Sequence, residues 1–131
     1  MRGPLSATQV ASFQRDGFLV VEDVLSADEV AALAARADLI ATGEAALIPD
    51  ASVQLEPAFQ SGDREIENQV LSVRKLYNIA VHDPVMWEHA TNPKIVDIIA
   101  ALLDTDDLKM YGDQLFMNCL LYTSPRPRAA T

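Results

Sequence analysis

The pattern Leu5-Ser-Ala-Thr-Gln-Val10 returns in the same chain as Leu25-Ser-Ala-Asp-Glu-Val30. Each copy places Ser at a helix N-cap and Gln or Glu three positions later, so that each side chain satisfies the other residue's backbone N–H. Leu5 with Val10, and Leu25 with Val30, occupy the flanking positions where two apolar side chains clamp the entering chain. Two helix starts are therefore set before any tertiary contact is considered, and the pattern predicts helices over 7–16 and 27–42. The first should bury Val10 and Phe13. The second should bury Val30, Leu33, Ala37 and Ile40, with Gly43 as its C-terminal stop.

Between the two helices, Gly17-Phe-Leu-Val-Val-Glu22 is a short apolar run with β-branched residues, which predicts a strand. Residues 44–72 contain Pro49, Pro57 and Gly62 and keep no period, so they form a long surface segment with a short strand near Val53–Leu55. In Val73-Arg-Lys-Leu-Tyr-Asn-Ile-Ala80, the residues Val73, Leu76, Tyr77 and Ala80 fall on one helical face and predict a helix. Asp83-Pro84 and Asn92-Pro93 each pair a capping side chain with Pro at the first helical position. The second of these starts a helix over 93–103 that should bury Ile95, Ile98, Ile99 and Leu102. A turn at Asp104-Thr-Asp-Asp107 then leads into a strand over 108–117. The class is α+β, with Phe13, Phe18, Val20, Leu33, Leu76, Ile95 and Ile99 expected to be mostly buried.

The chain of 131 residues, half of them hydrophobic, is large enough for one ordinary core. Its net charge of −9 argues against a nucleic-acid partner, which calls for clustered Lys and Arg. All 19 acidic residues and 8 of the 10 basic ones lie within residues 1–118. Cys119 is the single cysteine, which excludes an intramolecular disulfide or a cysteine-built metal site and fits a reducing, cytoplasmic setting. The N-terminus carries no signal-peptide pattern, and no apolar run reaches the ~18 residues that a membrane span needs.

Several stretches together resemble the phytanoyl-CoA dioxygenase family of Fe(II)/2-oxoglutarate-dependent oxygenases. They are Val10-Ala-Ser-Phe-Gln-Arg-Asp-Gly-Phe-Leu-Val-Val21, Leu25-Ser-Ala-Asp-Glu-Val-Ala-Ala-Leu33, Val73-Arg-Lys-Leu76, His82-Asp-Pro84, Asn92-Pro-Lys-Ile-Val-Asp-Ile98 and Tyr111-Gly-Asp-Gln-Leu-Phe116. Their order and intervals match over residues 5–117. The resemblance implies the helical support and first strands of a double-stranded β-helix, or jelly-roll. It also implies Fe(II) and 2-oxoglutarate as cofactors of a longer parent protein that hydroxylates a small organic substrate. In that family the last strand runs into a Lys-Pro-Pro turn and then His-x-Asp, whose His and Asp, with a distal His, hold iron on one face. Here position 118 is Asn and no Lys-Pro-Pro follows. Cys119-Leu-Leu-Tyr-Thr-Ser-Pro125 resembles a translated sequencing adapter, so residues 1–118 are expected to be the N-terminal part of a dioxygenase domain and 119–131 a non-native-looking tail.

Among the chemically tempting residues, His82 and His89 do not stand in His-x-Asp and read as structural or surface histidines. Trp87 reads as packing of a short helix. Arg74 is the candidate substrate contact, its simpler alternative being a solvated charge beside Lys75. Gln114 is the candidate co-substrate contact, because strand alternation puts it on one face with Gly112, Phe116 and position 118. Asp104, Asp106 and Asp107 lack calcium-loop spacing and read as a solvated turn. No residue is assigned as catalytic or metal-binding, and this chain is expected to be inactive and to bind neither cofactor specifically. The competing expectation is a complete, small, acidic α+β module that meets a basic partner through residues 44–72.

Overall fold

A computed structural model describes residues 4–62 and 69–117. Position 118, the tail 119–131 and the acidic residues Asp63, Glu65 and Glu67 with Arg64 lie outside the described residues. Helix α1 spans Ala7–Asp16 and helix α2 spans Ala27–Ala41, each opened by a complete capping box, at Ser6 with Gln9 and at Ser26 with Glu29. Helix α2 ends as expected. Gly43 takes a left-handed φ of 78°, its N–H donates to Ile40 O and the Glu44 N–H donates to Leu39 O, so that two otherwise orphaned carbonyls are satisfied.

Residues 44–62 and 69–72 hold more local structure than their composition suggests. A 3-10 turn at Asp50–Ser52 leads into strand β1, Val53–Leu55, at the predicted place, and two single-turn helices follow, α3 (Pro57–Gln60) and α4 (Gln69–Ser72). Strand β2 is Val73–Tyr77, helix α5 is Pro84–Ala90, helix α6 is Pro93–Leu103 and strand β3 is Gln114–Phe116. The strands form one antiparallel sheet in the order β1-β2-β3.

The predicted helix over 73–80 is therefore a strand, and the register shows why its pattern misleads. Leu55 pairs with Val73 and Gln54 with Lys75, which leaves Arg74 as an extra residue on β2. Such a bulge shifts the two-residue alternation by one. Val73 and Leu76, three apart, can then both be fully buried, which imitates helical spacing. They pack with Ala37, Ile40 and Ala41 of α2, with Ile79 and Ala80 after β2, and with Met86 of α5.

Two cross-chain clamps set the helices against one another. The buried Asp83 carboxylate caps α5 by accepting the Met86 N–H at 3.1 Å and also pairs with the Arg36 guanidinium of α2. Burial pushes the Asp83 pKa up, but the Arg36 and Met86 hydrogen bonds together outweigh it and hold the group below its ordinary value. On the other side, Glu29 of the second capping box accepts from Asn92 Nδ2 at 3.1 Å and pairs with Lys94, tying the start of α2 to the start of α6.

Parts of the expected core are corrected. Leu76 is buried, while Phe13, Leu33 and Ile95 are half-buried and Ile99 is exposed. Phe18 and Val20 are 64% and 69% exposed, and the run 17–22 joins no sheet among the described residues. A strand is stabilised by a neighbour's ladder, and none is described beside this run. The expected strand over 108–117 shortens to Gln114–Phe116 for the same reason, since its ladder with β2 takes in those three residues and ends on the bond from the Met117 N–H to Arg74 O. Val30 is exposed, and in α6 Ile95, Ile98 and Leu102 are half-buried.

Candidate sheet-face site

Tyr77 lies opposite Gln114, and Lys75 lies opposite Phe116. Directly opposed residues of an antiparallel pair share a face, as do alternate residues along one strand. Lys75, Tyr77, Gln114 and Phe116 thus form one face, and Leu76 with Leu115 forms the other. Because Leu76 belongs to the helix-backed core, the Lys75–Gln114 face is turned away from the helices. On it, Lys75 Nζ donates to Gln114 Oε1 at 3.4 Å and stands 5.6 Å from the centre of the Tyr77 ring, within cation–π range. Gln114 is exposed, as a residue offered to a ligand must be.

Arg74 sits in the bulge. Its carbonyl accepts the Met117 N–H at 2.9 Å, which extends the β2–β3 pairing, and its exposed side chain makes no ion pair among the described residues. The cation that the structure brings beside Gln114 is Lys75. Strand alternation from Gln114 and the bulge together locate it, but sequence reasoning that treats 73–80 as a helix cannot.

A second residue that sequence reasoning missed is Asp113. Its carboxylate oxygens accept the N–H groups of Ile79 at 2.9 Å and Ala80 at 3.1 Å, and its carbonyl accepts the Asn78 N–H at 2.9 Å. Asn78 turns the chain out of β2 with a φ of 54°, and Asp113 ties that turn to the start of β3. The neighbour of Gln114 therefore fixes where Gln114 stands.

The histidines do not join this face. The His82 N–H donates to Ile79 O in the turn before α5, and His89 lies in the last turn of α5, with a buried Nδ1 that has no hydrogen-bond partner among the described residues. A cleft of about 630 Å3 lies between α1 and α6 and is lined by residues such as Val10, Gln14, Asp97, Ala100 and Asp104. It takes no residue from the sheet and lies away from the candidate contacts.

The pattern of the phytanoyl-CoA dioxygenase (PhyH) family matches residues 13–131, taking in the segment 119–131 as well. The chain belongs to the phytanoyl-CoA dioxygenase family. The same Fe(II)/2-oxoglutarate oxygenase family includes its ectoine dioxygenase relatives. The chain is 33% identical over 115 residues to an ectoine dioxygenase of Sphingopyxis alaskensis, and 28% identical over 102 residues to one of Bordetella bronchiseptica. These alignments cover 88% and 78% of the chain but 31% and 29% of the relatives, so the chain spans about three tenths of their length. Crystal structures of EctD from S. alaskensis superimpose with TM-scores of 0.60 with bound Fe and 0.62 in the apoform. They are 31% and 33% identical and cover 78% of this chain and 32% of theirs.

For a member of this family the question is whether the residues present fit an iron ion. A facial site needs two histidines and a carboxylate converging on one point. Among the described residues no three His, Cys, Asp or Glu side chains gather in that way. The unpartnered His89 Nδ1 is one buried nitrogen without companions, and the Asp83 carboxylate is committed to Arg36 and the α5 cap. These residues do not fit Fe(II).

Proposed function

We propose that this chain is the N-terminal part of an Fe(II)/2-oxoglutarate-dependent oxygenase that hydroxylates a small organic substrate. Family membership together with a sheet face that presents Gln114 to solvent supports this reading most directly. Helix α2, with Met86 of α5, backs the first strands of a jelly-roll, α1 and α6 pack on one another beside it, and the rest of the barrel belongs to further sequence of the parent protein. Iron and 2-oxoglutarate, when bound by that parent, supply the oxidising chemistry. The residues of this chain position ligands, with Gln114 contacting the co-substrate and Arg74 the substrate. Segment 119–131 lies outside the working domain, and the parent is a cytoplasmic enzyme without nucleic-acid or membrane partners. Among the described residues, no helix is long and apolar enough to cross a membrane.

Succinate release in the presence of Fe(II), ascorbate, oxygen and 2-oxoglutarate tests the reading. The 131-residue chain should give no more succinate than a metal-only control, and removing 119–131 should change nothing. A chain continued after Met117 with Lys-Pro-Pro, His-x-Asp and a distal His should turn over, with ectoine the first substrate to try, given the relatives' activity. Succinate from the short chain itself, or none from the continued one, would overturn the proposal.

A further inference from the structure

We draw no further inference here: the strongest candidate, the cleft of about 630 Å3 between α1 and α6 that Asp97, Asp104 and Asp106 line, rests on a cluster of acidic side chains alone, and nothing among the described residues shows what fills it.

Discussion

Asp113 shows how much a single carboxylate can hold in place. Ile79 and Ala80 are each 3% exposed, so their N–H groups cannot turn to water if Asp113 is lost. Leaving two buried donors unsatisfied costs about 1–3 kcal/mol apiece, so Asp113→Ala should destabilise the chain by roughly 2–6 kcal/mol in a denaturant titration. Asp113→Asn keeps one acceptor oxygen and should fall about halfway between. The same substitutions should disturb the Gln114 amide signal, because the turn that aligns β3 on β2 is loosened. Leu76, fully buried behind the site, should cost about 2–5 kcal/mol on Leu76→Ala through the cavity it leaves. Measured losses below 1 kcal/mol at both positions would mean that the sheet is not packed as described.

At the scale of elements, Glu29 has two roles, closing its own capping box and joining α2 to α6. The Lys94 ammonium, followed by the Ser26 N–H, holds its carboxyl at a pKa of about 2 against an ordinary 4.5. A lowered carboxyl pKa stabilises the fold in full above its unfolded value, and the gain is lost as pH falls through the folded one. The contribution of Glu29 is therefore complete above about pH 4.5 and fades towards pH 2. Glu29→Gln preserves the box, as Gln9 does in α1, but removes the charge that meets Lys94. The variant should melt earlier at neutral pH and lose less stability than the parent between pH 4.5 and 2, as followed by far-UV circular dichroism. Asp83 acts in the same sense through Arg36, and Asp83→Ala removes the α5 cap as well, a loss of about 1 kcal/mol for the cap alone.

Across the whole molecule, large apolar side chains remain open to solvent. Phe18 and Val20 before α2, and Tyr111, Leu115 and Phe116 at the sheet's β3 edge, are all exposed. An edge strand with apolar neighbours invites pairing by other chains. Together with a span of about three tenths of its relatives, this predicts a chain that binds an apolar dye and self-associates as its concentration rises. A continued chain that completes the barrel should bind less dye and sediment as a single species. Equal dye binding by the two would argue that these residues are not covered by further barrel sequence.

Local chemistry decided the helix starts, because a capping box, or an Asx cap followed by Pro, is satisfied within four residues whatever surrounds it. The starts at Ala7, Ala27, Pro84 and Pro93 were thus legible from residues alone, as was the short strand at Val53–Leu55. Gln114 was legible as a face residue because alternation is a property of any strand. What the sequence could not disclose depends on partners distant along the chain. The bulge at Arg74 exists only because β1 pairs with β2 out of step, and it turned an apparent helical stripe into a strand that presents Lys75. Asp113 became structural only when β3 came to lie beside the turn after β2, and Phe18 and Val20 stayed exposed because no described strand lies beside them. Hydrogen bonds closed within one turn are encoded locally, whereas ladder register and burial are decided by whichever segments the fold brings together.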